Sequence, residues 1–369
     1  MKHEYRMYGW QGSHFVGKLR GYLNYKGLDY EEKDIWAYDL LVRIPRAIGV
    51  TVMPALESSS GEWFGDTPLI IEELERRHPG NGIRVGTPRQ KMAAMLLENW
   101  FDDSWIKVSV HTRWSYPENW DSLLKREWGR SLLPYAPPFI REHVAERVVK
   151  KAMSGSRHPL GVRPGKLELL ERWALQHLDT LNAHFRQHDY LFGGRPTIAD
   201  YALLATMYGH LNRDPWPKRE WINPRPELRA WAERTGRGDA ASGELLPDDE
   251  VPSTLAPLFL GLFNEFPEFM KKAVGGVRRH VEKQALESGS SLPRALGEVS
   301  YPMLDGEFTN MPLTYSVWRQ QRMQQVYRAL PADQRNSVDA WAGDMGCADM
   351  FTMDLGPELV RDGVSAALA

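Results

Sequence analysis

The stretch Val52-Met53-Pro54-Ala55-Leu56 places a proline inside a short apolar run that is typical of a β-strand. Proline has no backbone N–H, so inside a strand it forfeits one ladder hydrogen bond. A proline at such a position often has a specific role. We expect the Met53–Pro54 peptide bond to be cis, a form that would turn the backbone toward a ligand.

The residues that follow this run predict a hairpin and then a helix. Trp63-Phe64 is expected to form a second strand, and Gly65-Asp66-Thr67-Pro68 precedes apolar residues at helical spacing. Asp or Thr before a proline in the first turn is a strong helix-start signal. The free amides of a helix N-terminus, together with the Thr67 hydroxyl, are suited to bind a carboxylate. The segment therefore predicts an anion site that faces the proline.

The chain before this stretch alternates between strand and helix patterns. Tyr5–Trp10 is predicted to be a strand, Ser13–Lys26 a helix and Asp29–Asp34 a second strand. Ser13 is a favoured N-cap residue, and Gly27 stands where a helix is commonly terminated. The expected order is thus strand, helix, strand, then the proline-containing strand, the hairpin and the capped helix.

This order resembles the thioredoxin-like N-terminal domain of glutathione S-transferases. Farther along, Tyr190-Leu-Phe-Gly-Gly-Arg-Pro-Thr-Ile-Ala-Asp200 closely resembles the C-terminal helical signature of the same family. The resemblance covers residues 5–235. It implies an α/β thioredoxin-like N-terminal domain, then an all-α helical domain, and the helical patterns beyond it predict a mostly helical C-terminal extension.

Breaks in composition suggest where these parts end. His78-Pro-Gly-Asn-Gly82 closes the first part, and the polar, glycine-rich segment 236–250 separates the second from the third. We therefore predict a glutathione-binding domain at 1–80, an all-helical domain at 88–240 and an extension of unassigned role at 245–369.

The resemblance implies roles for individual residues. In the family, the residue before the cis-proline pairs through its backbone with the cysteinyl part of glutathione, a role that falls here on Met53, beside Pro54. An acidic-Ser pair that holds the γ-glutamyl end corresponds to Asp66-Thr67, with Asp66 in place of the commoner glutamate. The segment Ser13–Arg20 is similar to the serine-class pattern Ser-Pro-x-Ser-x-Lys-Val-Arg and departs from it at His14 and Val16.

Two hydroxyl groups are candidates for activating the glutathione thiol. A hydroxyl that donates to sulfur at the positive end of a helix favours the thiolate, and Ser13 meets both conditions. Its alternative role is that of an ordinary N-cap. Tyr8 is the rival, because tyrosine-class members carry their hydroxyl near the end of this strand; an aromatic core role is its alternative.

Three classes of function remain open on these residues. The first is a transferase that joins glutathione to an electrophilic small molecule, with Trp10, Phe15 and Trp105 as candidate walls of the acceptor pocket. The second is a glutathione-dependent isomerase or ether-cleaving enzyme. The third is a binding or scaffold protein of the same fold. Thiol-exchange chemistry is disfavoured, because the family members that perform it carry a cysteine at the Ser13 position.

Composition sets limits on partners and location. A formal net charge of −2 among 369 residues predicts no general attraction to nucleic acid or to anionic membranes. The single cysteine, Cys347, fits a reducing cytoplasm and is expected to be a small buried hydrophobe. The eleven histidines show no convincing metal-ligand spacing, so we expect no metal. The resemblance implies a homodimer.

Overall fold

The computed structural model describes residues 2–369, apart from the side chain of Ser154. Its chain forms two compact units, each built from separate stretches of sequence. Unit 1 contains the residues up to 84, 105–157 and 200–242, and unit 2 contains 85–104, 158–199 and 243–369. The predicted boundaries at 80, 88, 240 and 245 divide the sequence differently and stay predictions.

Unit 1 begins with a small sheet and the helices packed around it. Its strands are β1 (Tyr5–Gly9), β2 (Tyr30–Asp34), β3 (Ala55–Ser58) and β4 (Trp63–Gly65), and its first helices are α1 (His14–Lys26), α2 (Ile44–Ile48) and α3 (Thr67–Arg77). The strand order is β2-β1-β3-β4. Strand β1 is parallel to β2 and antiparallel to β3, and β3 is antiparallel to β4. The predicted thioredoxin-like domain is confirmed.

The rest of unit 1 is helical. Its further helices are α5 (Ile106–Ser115), α6 (Pro117–Asn119), α7 (Lys125–Leu132), α8 (Pro138–Arg157), α10 (Ile198–Thr206), α11 (Pro215–Pro217) and α12 (Pro226–Arg237). Four π-helical turns interrupt or extend helices of this unit, at Asp39–Arg43, Trp120–Leu124, Met207–Leu211 and Lys218–Ile222. Helix α10 starts at the last two residues of a unit 2 stretch.

Unit 2 is mostly helical and contains two β-hairpins. Its helices are α4 (Pro88–Ser104), α9 (Leu167–Phe185), α13 (Ala256–Gln284), α14 (Thr314–Arg328) and α15 (Ala332–Asp344), with a 3₁₀ turn at Ser253–Leu255. The hairpins pair β5 (Val299–Met303) with β6 (Gly306–Asn310) and β7 (Leu359–Asp362) with β8 (Ser365–Leu368). The helical extension is confirmed, and the hairpins are additions that the sequence patterns do not predict.

A buried carboxylate joins three helices in the core of unit 2. Glu265 on α13 accepts hydrogen bonds from the indole N–H groups of Trp100 on α4, at 2.9 Å, and Trp173 on α9, at 2.8 Å. Both indoles are fully buried and Glu265 is 4% exposed. A buried charge is tolerated when hydrogen bonds satisfy it. Residues from the extension thus complete the core of α4 and α9.

The same core contains a histidine that cannot ionise without cost. His177 on α9 is fully buried, with its ring 4.7 Å from the Trp173 ring and 5.2 Å from the Trp100 ring. Burial lowers the pKa of His177 from 6.5 to about 3, since the charged imidazolium would be desolvated. Between about pH 6.5 and pH 3, His177 therefore stays neutral in the folded protein, whereas the same side chain in the unfolded chain binds a proton.

We expect unit 2 to lose stability as the pH falls from about 6.5 toward 3. In that window the unfolded state binds more protons at His177 than the folded state, so the free energy of unfolding decreases with falling pH. Denaturant unfolding measured at several pH values should show this slope. His177→Gln should reduce it, whereas the exposed His158, replaced in the same way, serves as the control. An unchanged slope in His177→Gln would contradict the assignment.

In the described part of the chain, residues 2–369, none of the helices is both long enough and apolar enough to cross a membrane.

Candidate functional site

The register of the sheet brings the predicted site segments to one edge. Tyr8 of β1 lies opposite Ala55 of β3, and Ala55 lies opposite Gly65 of β4. Strand β1 ends at Gly9, β3 begins at Ala55 and β4 ends at Gly65. The three segments next to these strand ends, 10–13, 53–54 and 66–67, therefore leave the sheet at the same edge. This is the candidate glutathione edge.

Ser13 lies at this edge as the residue before α1. Its backbone is extended (φ −85°, ψ 136°), which is the conformation of an N-cap, but its side chain makes no capping hydrogen bond. The Ser13 carbonyl accepts the first helical hydrogen bond, from Gly17 at 3.0 Å. The side chain is half-buried, and the first turn of α1 carries no acidic residue. The hydroxyl is thus available at the uncompensated positive end of a helix.

The Met53–Pro54 peptide bond is cis. Pro54 is buried and stands directly before β3, so no ladder hydrogen bond is lost within the strand. The Met53 side chain packs against the cluster formed by Tyr8, Ile35, Ile44 and Ala55. In the described part of the chain, the turn and loop hydrogen bonds do not involve the Met53 amide or carbonyl. The Met53 backbone is therefore available to pair with an extended peptide.

Asp66 and Thr67 form the start of α3. Asp66 has φ 79°, a conformation that residues other than glycine seldom adopt. The Thr67 side chain is 2% exposed, and its hydroxyl has no hydrogen-bond partner among residues 2–369. Leaving a buried hydroxyl unsatisfied costs about 1–3 kcal/mol. After the N-cap Asp66, the first turn of α3 carries no acidic residue, so the free amides of this turn are suited to bind an anion.

Tyr8, the rival hydroxyl, is engaged elsewhere. Its O–H donates to Glu57 Oε2 at 2.8 Å, and the Arg43 guanidinium donates to the Tyr8 hydroxyl oxygen at 3.4 Å. The ring is 1% exposed and stacks on Trp63 at 5.0 Å. Burial, and then the hydrogen bond to Glu57, raise the pKa of Tyr8. Its proton is directed toward Glu57, so donation to a thiolate would require that bond to break.

The aromatic candidates for the acceptor pocket have different environments. The Trp10 indole donates to the Ile35 carbonyl at 2.9 Å, and its ring lies 4.4 Å from that of Trp128. Phe15 is half-buried and contacts His14 edge-on at 4.8 Å. Trp105 is fully buried. The sequence analysis did not name Trp128 as a candidate for the acceptor pocket. The only feature of the sequence that could have indicated it is the tryptophan-rich composition of 113–138.

Cys347 is buried in unit 2, and burial, then the nearby Asp349, raise its pKa to about 11. A thiol that stays protonated is a poor nucleophile. In the described residues no group of three or more His, Cys, Asp and Glu side chains is arranged to hold a metal ion.

Comparisons with known proteins match two separate stretches of the chain, one near its start and one in its middle. Residues 7–82 match the family described as glutathione S-transferase, N-terminal domain, and residues 171–234 match the glutathione S-transferase C-terminal domain. A search of curated proteins finds no match.

Solved structures that resemble the chain include three bacterial proteins. A glutathione S-transferase from Rhodospirillum rubrum F11 has 19% identity and a TM-score of 0.42, covering 68% of this chain and 96% of its own. A glutathione S-transferase from Methylobacterium radiotolerans, in complex with glutathione sulfonate, has 18% identity, a TM-score of 0.39 and coverages of 66% and 98%. A beta-etherase from Sphingobium sp. strain SYK-6 has 18% identity, a TM-score of 0.39 and coverages of 63% and 99%.

The two family matches occur in the order that the fold requires, and the first of them spans Ser13, the cis-proline and the start of α3. In residues 7–82 and 171–234, the chain is similar to the N- and C-terminal domains of the glutathione S-transferase superfamily.

Proposed function

We propose that the protein binds glutathione at the candidate glutathione edge and uses Ser13 to stabilise the thiolate for attack on an electrophilic small molecule. The observation that carries this proposal is the state of the Ser13 hydroxyl. It stands at the N-terminus of α1, half-buried, and makes no capping hydrogen bond. In an ordinary N-cap serine, the side-chain oxygen accepts a hydrogen bond from a backbone N–H of the first turn, and the Ser13 oxygen does not.

The chemistry follows from the difference between a thiol and a thiolate. A cysteine thiol has a pKa near 8.5, and only its thiolate is a strong nucleophile. A hydrogen bond to the charged form and the positive end of a helix both lower that pKa. Ser13 supplies the first and α1 the second. A bound thiolate would then form the new carbon–sulfur bond as the electrophile's leaving group departs.

The remainder of glutathione would be held by the other two segments at this edge. The Met53 amide and carbonyl pair with the cysteinyl backbone, as strands pair across a sheet. The Thr67 hydroxyl and the amides at the start of α3 bind the γ-glutamyl carboxylate, and the Asp66 carboxylate faces its ammonium group. The buried, unpartnered Thr67 hydroxyl supports this placement, since a ligand oxygen would satisfy it.

The direct test is titration of the purified protein with glutathione in a calorimeter, combined with the pH dependence of thiolate absorbance in the complex. Binding together with a thiol pKa well below 8.5 supports an enzyme. Binding with an unshifted thiol pKa would indicate a binding protein that shares the fold, and absence of binding would overturn the proposal.

Thr67→Val should weaken glutathione binding about tenfold or more, because a hydrogen bond to a charged group contributes roughly 1.5–3 kcal/mol. The free energy of unfolding of the unliganded variant should not fall and should rise by up to about 1–3 kcal/mol, because a buried hydroxyl without a protein partner is removed. Thr180→Val is the matched control: its hydroxyl donates to a carbonyl of its own helix in unit 2. Equal affinities for glutathione in Thr67→Val and the unmodified protein would remove Thr67 from the site.

We also propose that the protein is a cytoplasmic homodimer that requires neither a metal nor nucleic acid and acts away from membranes. The similarity to glutathione S-transferases supports the dimer, and the single cysteine supports a reducing compartment. Sedimentation at micromolar concentration should give a particle of about twice 42.3 kDa. A particle of single-chain mass would contradict the proposed dimer but would not bear on the proposed glutathione site.

A further inference from the structure

A buried arginine holds the loop that leads into Ser13. Arg113 on α5 is 3% exposed. Its Nη1 donates to the carbonyl of Gly12 at 2.5 Å, and its Nη2 donates to the carbonyl of Gly209. Gly12 is the residue immediately before Ser13, so one guanidinium fixes the backbone on the N-terminal side of the candidate hydroxyl.

The guanidinium is itself held in one orientation. Nε donates to Asp214 Oδ2 at 2.7 Å and Nη2 to Asp214 Oδ1 at 2.9 Å, and Asp214 is fully buried. Such a bidentate pair fixes the plane of the guanidinium as well as its position. Because both charges are buried and paired with each other, Arg113 reaches Gly12 as a rigid fork of donors.

The Ser13 backbone also touches Gly209 directly. A Cβ atom on Gly209 would lie 2.9 Å from the Ser13 carbonyl oxygen and 3.1 Å from its carbonyl carbon. These are backbone atoms, so they could not move aside as a flexible side chain does. Gly209 therefore allows the π-helical turn Met207–Leu211 to pack against Ser13, while Arg113 binds the carbonyls on both sides of this contact.

We propose that Arg113, oriented by Asp214, is a positioning residue for Ser13: it sets the place of the hydroxyl and of the α1 N-terminus relative to the glutathione sulfur. This inference rests on the proposed function. Its physical basis is that stabilisation of a thiolate depends on donor geometry, and misplacement by about 1 Å can cost a hundredfold in rate. The guanidinium donates to the carbonyls of Gly12 and Gly209 at the same time. A lysine ammonium lacks this planar set of donors and cannot reproduce both bonds in the same geometry.

The test is Arg113→Lys, which keeps the positive charge beside Asp214 but loses the fork. We expect the thiol pKa of bound glutathione to rise by about one unit and kcat to fall about tenfold. The Kd for glutathione should change less than about threefold, because Met53 and Thr67 are unaffected. Amide hydrogen exchange of residues 11–14, measured without glutathione, should become faster. This last readout needs no bound ligand.

Arg219→Lys is the matched control, since Arg219 forms an exposed bidentate pair with Glu118 in the same unit and should leave all four readouts unchanged. If Arg113→Lys does not fold, Gly209→Ala tests the same contact by pressing on the Ser13 carbonyl. Gly155→Ala, where a Cβ meets nothing within 4 Å, is its control.

The possible outcomes separate the two proposals. If the unmodified protein neither binds glutathione nor lowers its thiol pKa, the proposed function is wrong and this inference falls with it. If the unmodified protein does both and Arg113→Lys keeps the lowered thiol pKa and the protection of residues 11–14, only the positioning role is wrong. An equal loss of stability and activity, with the thiol pKa unchanged, would assign Arg113 a purely structural role.

Discussion

Ser13→Ala is expected to slow conjugation about ten- to a hundredfold and to raise the pKa of the bound glutathione thiol. The reason is that a hydrogen bond to a charged group contributes roughly 1.5–3 kcal/mol, and each 1.36 kcal/mol is about tenfold in rate. Glutathione affinity should change little, because the Met53 backbone and Thr67 hold the rest of the tripeptide. Steady-state kinetics and the thiolate titration measure both effects.

A capping role for Ser13 would give a different result. Loss of an N-cap hydrogen bond costs about 1 kcal/mol of stability and would leave the thiol pKa unmoved. Since the Ser13 side chain makes no capping hydrogen bond, we expect Ser13→Ala to unfold at nearly the same denaturant concentration as the unmodified protein.

Tyr8→Phe is the matched control for the hydroxyl. It removes the hydrogen bond to Glu57 and should therefore reduce stability by about 1 kcal/mol, with a mild effect on turnover. If Tyr8→Phe abolishes turnover while Ser13→Ala retains it, the activating hydroxyl has been wrongly assigned.

The largest expected effect on stability is at Arg319 in unit 2. Its guanidinium, on α14, donates to Asp102 Oδ2 of α4 at 2.7 Å and lies 3.4 Å from Glu98 Oε1. The Arg319 and Asp102 side chains are 6% and 2% exposed. Burial alone would lower the pKa of Arg319, but the Asp102 and Glu98 carboxylates raise it. The arginine is therefore charged, and its guanidinium links α14 to the two carboxylates of α4.

Arg319→Met should lower the free energy of unfolding of unit 2 by about 3–5 kcal/mol, because it removes a buried positive charge and leaves two carboxylates buried. Adding Asp102→Leu should restore part of this loss, since apolar replacements of a buried pair are often tolerated. Urea unfolding of the single and double variants gives both values.

Arg172→Met provides the comparison, because it breaks the exposed pair with Asp305 and should cost less than about 1 kcal/mol. If Arg319→Met costs no more than Arg172→Met, the buried pair does not stabilise the attachment of α14 to α4.

The segments with strong local signals were predictable from the sequence. The helix starting at Thr67 has a proline in its first turn, and α1 ends at Lys26 and is capped by Gly27 with φ 68°, as the sequence indicates. The N-terminal domain and the helical character of the rest follow from such signals together with the family resemblance. Each depends on residues that are close together in the chain.

Other elements lacked such signals. Strand β5 contains Pro302, which disfavours a strand. Strand β8 reads Ser-Ala-Ala-Leu and lacks the β-branched and aromatic residues that favour strands. Their pairing is decided by tertiary packing. The segment 113–138 is rich in Trp and Pro, a composition that favours loops, yet most of it is helical. There, side-chain packing outweighs weak helix propensity.

At the candidate site, the sequence indicated Ser13, Met53, Asp66 and Thr67, and their assignment to glutathione remains a proposal. It gave no indication of Arg113, which binds Gly12 from 101 positions away. An arginine inside a helical pattern looks like any solvated surface cation. Only the folded backbone shows that it is buried, paired with Asp214 and directed at the loop before Ser13.

The stretches of the two units alternate along the sequence, and this order has a consequence for synthesis on the ribosome. All residues of unit 1 have been synthesised once the chain reaches residue 242. Unit 2 cannot fold completely before residues 243–369 have been synthesised, because they pack with 85–104 and 158–199. Until α13 emerges, the indoles of Trp100 and Trp173 lack the Glu265 carboxylate that accepts their N–H groups. Nascent chains halted near residue 245 should therefore expose apolar helix faces and recruit chaperones, and release should follow once the final hairpin has left the exit tunnel.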